Sequence, residues 1–360
     1  MKPIFFCLRC LLPVAGLLAL ASCGGNADAE FFDGEIRFFN DRGVAVQHLE
    51  SHSVDQDSAP MGIVSAYDSL ILCWTPQLPD FFYNIYHADT GRKLGSFVRK
   101  GRGPQEAVSL NFVYQFVRRG DDLTAWLYAP NEERLFQWNI SRSLREGTTV
   151  YDTIMPYENG RFVFLYQLAQ DTLLVSRPSS DNLGEASAPY YEKLTLSTSE
   201  SICEYHPYKT AIESTEAFYT WDAIKPDGSR IVQAMRFLPQ INVLDLRTGK
   251  LFGSRLKGAP GFSLMKDVKR LTETVYYTGV CADDRYIYAV FRERKDSTEP
   301  GGSHDHFIHV FDWEGRLCAR IETDCPYERC WLDPVRNRLY AMNMATNEIH
   351  YLELSQLDLP

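Results

Sequence analysis

The chain has 360 residues, 45% of them apolar and 13% aromatic, with a net charge of −10. That is enough apolar material for a sizeable core, and an abundance of Tyr and Phe favours strands over helices. The acidic balance argues against nucleic acid or an anionic lipid surface as the main partner.

The N-terminal stretch reads as a targeting segment and is set apart from the fold. Lys2 gives a thin positive end, and "CLLPVAGLLAL" is an apolar run too short to span a bilayer. The run closes on "LASC", ending at Cys23, and resembles the bacterial lipoprotein signal in which cleavage precedes the Cys and that Cys is lipidated. Residues 1–22 are therefore expected to be removed; an ordinary secretory cleavage after a small residue is the alternative. Cys7 and Cys10 form a CxxC, but inside the removed segment it carries no chemistry. Loss of Lys2 and Arg9 takes two positives from −10 and leaves −12. Residues 23–33, with "GGNADAE", read as a flexible tether, and 34–360 as one domain. The membrane would be held through the lipid on Cys23. Gly24 does not resemble an inner-membrane retention signal, which points to the outer membrane, with periplasmic and surface-exposed faces both open.

Further along, "NIYHADTGRKLGSF" and "INVLDLRTGKLFGS" share a pattern: a polar residue near a strand end, then a turn, then a second apolar run. The slot recurs six times, at His87, Asn139, Thr195, Asp245, Asp312 and Glu353, with spacings of 52, 56, 50, 67 and 41. Gly91, Gly249 and Gly315 supply turns in three copies. Short strands such as "SLILCW", "RIVQAMRF" and "RYIYAVF" precede each hairpin. Four strands at a period of about 50 residues mark a propeller blade. The expected fold is all-β, a six-bladed β-propeller of four-stranded blades. The last unit lacks sequence for its outer strand, so the N-terminal stretch Glu35–Glu50 is expected to supply it and close the ring. The 67-residue interval holds "RERKDSTEPGGSHDH", read as an exposed loop.

Two stretches carry a family resemblance. "FVRKGRGPQEAVSLNF" is similar to the Gly-rich connection of NHL-type blades, and closer to the "GRGPxE" signature of the TolB-like six-bladed propeller lipoproteins of Bacteroidales. "HVFDWEGRLCARIETD" and "LDPVRNRLYAMN" resemble the last hairpin and final blade of that family. The resemblance implies that the "GRGP" loop crosses one face towards the central channel, with Arg99, Lys100 and Arg102 near its mouth. It implies no common reaction.

Arg99, Lys100, Arg102 and Glu106 are the first candidate site: the bases could clamp a carboxylate or phosphate, or simply pair with the chain's own acids around a glycine turn. "AFYTWD" is the second, where Tyr219 and Trp221 suit a sugar or peptide surface, or inter-blade packing. His304, Asp305, His306 and His309 have partial zinc-ligand spacing but no fourth ligand, and read as a solvated loop. Cys325 and Cys330 flank "PYER" and could form a disulfide, or be buried singly. No GxSxG, HExxH, P-loop or EF-hand pattern is present, and no cofactor or metal is implied. The expected function is a membrane-anchored envelope protein that binds another envelope protein, a glycan or a peptide. The alternative is a hydrolase or lactonase with its site in the channel, possible for propellers whose sites gather side chains from several blades.

Overall fold

The structure is a computed structural model that describes residues 25–55, 62–158, 160–178, 188–212, 214, 216–295, 306–324, 326–343 and 346–360. The signal segment, Cys23, His304, Asp305 and Cys325 lie outside the described residues, as does 296–305 of the expected long loop.

Six sheets form the blades of a propeller. Five are continuous in sequence, over 63–99, 117–156, 165–205, 220–256 and 274–323; the sixth combines 327–353 with His52–Ser53. Within each of the first five blades the four strands run antiparallel in chain order from the axis outward, and in the sixth His52–Ser53 takes the outer place. The six polar slot residues are each the last residue of their blade's third strand, in Phe81–His87, Arg134–Asn139, Tyr190–Thr195, Gln240–Asp245, His306–Asp312 and Ile349–Glu353. In three of them, His87, Asp245 and Asp312, the side chain satisfies the turn that follows. The Asp245 carboxylate accepts from the backbone N–H of Arg247 (3.0 Å) and Thr248 (2.7 Å), and Asp312 accepts from those of Glu314 (3.0 Å) and Arg316 (2.9 Å). In the second blade Asn139 instead caps a helix, Ile140–Glu146, with its side-chain oxygen 2.9 Å from the Arg142 N–H. The strands flanking these turns carry apolar runs that pack blade against blade. Val243, Ile241 and Trp221 of the fourth blade meet Tyr277, Ile287 and Phe311 of the fifth.

The N-terminal stretch does more than was expected, and differently. Glu35–Phe39 pairs in parallel with the outer strand Leu251–Leu256 of blade four, and Ala45–Leu49 in parallel with the outer strand Leu317–Thr323 of blade five. The strand that completes blade six is His52–Ser53, antiparallel to Ile349–Glu353. The expected segment, Glu35–Glu50, thus runs as a belt over two neighbouring edges, and the residues just after it close the ring. Three consecutive blade edges are covered by one pass of chain. The belt also holds the C-terminus: Gln47 donates to the Asp358 carbonyl (2.6 Å) and accepts from its N–H (2.9 Å).

The expected tether, 23–33, is likewise built into the fold from its described start. Gly25–Phe31 is a short helix, and both Phe31 and Phe32 are buried against Phe262 and Tyr208. Asp28 receives both terminal nitrogens of the buried Arg255 at 2.9 Å and the N–H of Phe262 at 3.1 Å. Two adjacent aromatics removed from water, together with a bidentate ion pair, outweigh the entropy of a Gly-rich start.

The belt's register gives a direct test. Phe39 is buried edge-on against Phe311 and His309, whereas Phe38 is 62% exposed. Phe39→Ala should lower unfolding free energy by about 3 kcal/mol in urea titration, and Phe38→Ala by less than about 0.5. Equal losses would mean the belt does not sit in this register.

Candidate functional site

The "GRGP" loop is a structural device. The Glu106 carboxylate folds back under the loop to accept the Gly103 N–H at 2.9 Å, and Arg99 stands 3.5 Å from its other oxygen. A Cβ at Gly101 would fall 2.0 Å from Glu106 Oε2, so the glycine leaves the space the carboxylate fills. Lys100 donates to the carbonyls of Pro76 and Leu78, tying the loop to a turn of blade one. Arg134 of blade two donates to the carbonyls of Pro104 (2.9 Å) and Glu106 (3.1 Å). Arg102 is exposed. None of Arg99, Lys100, Arg102 and Glu106 lines the axial cavity, so the turn-forming reading describes this loop and the implied approach to the channel does not.

The axis carries the cavity. About 600 Å³ in volume, it is walled by inner segments of five blades. Its walls are aromatic: Trp74 lies 6.0 Å from Phe112 between ring centres, Phe112 4.3 Å from Tyr114, Tyr114 5.2 Å from Phe164, and Tyr219 5.4 Å from Trp221. These side chains reach the axis through alternation. In the connection ahead of blade two, Val113 turns into the inter-blade core while Leu110, Phe112 and Tyr114 line the opening. A second cavity of about 650 Å³ lies between blades three and four and shares Val163, Phe164 and Tyr219 with the first, so the two meet at Tyr219. The "AFYTWD" segment therefore reaches the opening, with Tyr219 40% exposed and Trp221 beneath it, and Cys330 lines it too.

Sequence reading missed the cavity's charged residues. Arg329, on the inner strand of blade six, stacks its guanidinium 4.4 Å above the Trp221 ring. Its pKa is held below the usual arginine value, by burial first. Arg236 lies 5.5 Å from the Tyr219 ring and lines the second cavity. Neither guanidinium has an ion-pair or hydrogen-bond partner among the described residues, whereas Arg177 pairs with Glu192 and Arg255 with Asp28. No linear pattern signalled Arg329, because its site exists only where blades four and six come together across the axis.

Asp222 lies at the second cavity, half-buried. Burial pushes its carboxyl up to about 7, against hydrogen bonds from Tyr191 and from Thr220 Oγ1 (2.7 Å) that favour the anion. His309, one of the possible zinc ligands, sits deep between Tyr277, Phe291 and Phe311, its Nδ1 3.0 Å from the Tyr277 hydroxyl. Burial, aided by Arg320, pushes it down to about 3, so it is a neutral core imidazole rather than part of a solvated loop. Cys330 turns its sulfur to Cys281, 3.4 Å away, both thiols being buried. Among the described residues no three His, Cys, Asp or Glu side chains gather as a metal set.

The six blades define the chain as a six-bladed β-propeller. The chain belongs to the TolB-like six-bladed propeller family, whose profile matches residues 51–327. The solved structures it resembles include a protein of Bacteroides fragilis assigned as exported, 11% identical over 88% of this chain and 98% of that one, with a TM-score of 0.53. Another is a member of the DUF4221 family from Bacteroides vulgatus, 11% identical over 86% and 96%, with a TM-score of 0.57. At such identity these likenesses show the fold alone. No curated protein matches the chain.

Asp222 yields a pH prediction. Its folded value lies above the roughly 3.9 of an unfolded Asp, so the native state binds the extra proton and this contribution is full below about pH 4 and lost as pH rises through 7. Three pH units correspond to roughly 4 kcal/mol. Asp222→Asn keeps an acceptor for Tyr191 but cannot ionise, so its stability relative to wild type should rise by about 2 kcal/mol or more between pH 5 and pH 8 in urea titrations. A difference that does not change with pH would show an ordinary carboxyl.

Proposed function

We propose that the protein is a binding protein of the bacterial cell envelope, acylated at Cys23 and held at the outer membrane, whose ligand seat is the axial aromatic cavity. One observation carries the seat. Trp74, Phe112, Tyr114, Tyr219 and Trp221 wall one cavity of about 600 Å³, and the Arg329 guanidinium is stacked on the Trp221 ring within it. The aromatic walls and the volume suit a glycan or a peptide side chain. Cell-envelope placement is supported by the "LASC" pattern at Cys23 and by the exported assignment of the Bacteroides fragilis structure. Among the described residues no helix is long and apolar enough to cross a membrane, so the lipid is the proposed attachment.

The hydrolytic alternative draws on Asp222, whose raised pKa would suit a proton donor. Its carboxylate is already engaged by Tyr191 and Thr220, which fits a structural part better.

Two measurements test this. Intrinsic tryptophan fluorescence of the full chain should respond saturably to a panel of neutral glycans, acidic glycans and peptides, and Tyr219→Ala should weaken the responding ligand by tenfold or more. A response untouched by Tyr219→Ala would move the seat elsewhere. Mass spectrometry of protein extracted from its native envelope should find an acylated N-terminal Cys23, and Cys23→Ser should leave the chain unacylated and release it to the soluble fraction. An unmodified Cys23 would remove the anchor.

A further inference from the structure

Building on the axial seat just proposed, we infer that its ligand is a carboxylated saccharide, a uronic-acid-type chain, with the carboxylate taken by Arg329 and a sugar ring lying on Tyr219. The argument starts from charge. In a chain of net charge −10, arginines find carboxylates easily, and the buried ones here do so, as in Arg177–Glu192 and Arg255–Asp28. Arg329 and Arg236 do not. Each rests on an aromatic ring instead, and Arg236 is near enough to push the Arg329 pKa further down. Two cations set close together in a partly dry cleft, neither in an ion pair among the described residues, gain from a guest that supplies an anion at contact distance. Glu328 lines the cavity beside Arg329 without coming within ion-pair distance.

The position of Arg329 is built rather than incidental. Gly279 of blade five has no side chain because its Cβ would stand 2.9 Å from the Arg329 Cα, so the two inner strands close up and aim the guanidinium over Trp221. Three further features select the rest of the ligand. The Arg329 guanidinium is a donor-only group with no hydrogen-bond or ion-pair partner among the described residues, which asks for an oxygen-rich guest. The exposed Tyr219, with Phe112 and Tyr114 beyond it, offers flat faces for the C–H side of sugar rings. The two cavities meeting at Tyr219 give room for a chain of rings rather than one small anion.

The test compares trigalacturonate with its methyl ester, which keeps the skeleton and loses the charge, by calorimetry on the full chain. The acid should bind at least tenfold more tightly. Arg329→Gln should remove that preference, bringing acid binding down to that of the ester, and raising salt should weaken the acid alone. Equal binding of acid and ester, both weakened by Tyr219→Ala, would overturn the carboxylate inference and keep the seat. No binding of the acid would overturn the inference, and the neutral-glycan and peptide titrations would then decide the seat separately. Should Arg329→Gln fail to fold, the ester and salt comparisons on the unaltered chain still decide.

A different observation carries a second inference: Cys281 and Cys330 form a disulfide joining the inner strands of blades five and six. Their sulfurs lie 3.4 Å apart, buried, on adjacent strands. In an oxidising compartment a donor disulfide would accept two electrons and two protons from the pair, leaving one new S–S bond here and two thiols on the donor. Burial holds the Cys281 thiol well above its usual pKa, so exchange belongs to folding, before the blades close. The chain should be refolded with oxidised glutathione, alkylated after unfolding, and digested. A linked Cys281–Cys330 peptide pair, two hydrogens lighter, is expected. Both thiols alkylated, or Cys330 joined to Cys325, would overturn it.

Discussion

Everything in this molecule follows from the need to leave no blade edge open. A sheet edge presents a row of unpaired backbone donors and acceptors, and a propeller avoids that only if its last blade is finished by chain from the other end. Here the finishing strand is short, His52–Ser53, and holds its place because the chain before it is already committed to two other edges. The belt turns one closure into three, and it clasps the C-terminal tail through Gln47. The N-terminal helix extends the same logic inward, locking Asp28 onto Arg255 and burying Phe31 and Phe32.

Closure also makes the cavity. Inner strands of different blades meet around the axis, and side chains far apart in sequence become neighbours. Trp74, Phe112, Tyr219 and Arg329 come from four separate segments. The resulting surface is aromatic and rich in donors, with two arginines resting on rings rather than paired with acids.

The "GRGPxE" stretch shows how a sequence signature can be architectural. Two glycines and a glutamate spaced to fold back on them look like a phosphate or carboxylate clamp on paper. In the fold the chain's own Glu106 is the carboxylate, seated where Gly101 has no Cβ, and Lys100 and Arg134 brace the loop between blades one and two. The signature secures the turn from one blade to the next.

The local pattern was sufficient for the architecture. Strand alternation, the six polar slots from His87 to Glu353 and their turns are short-range properties, each set by residues within a few positions of one another, so they are legible in the linear order. From the same pattern came the family and the deficit of one outer strand. Tyr219 and Trp221 could be singled out because they are adjacent. Arg329, its perch on Trp221, the pairing of Cys330 with Cys281 and the belt's exact edges were decided only by ring closure. Those depend on which distant segments come to lie side by side, and parallel edge pairing or a cation stacked across the axis leaves no periodic trace in the residues that make it.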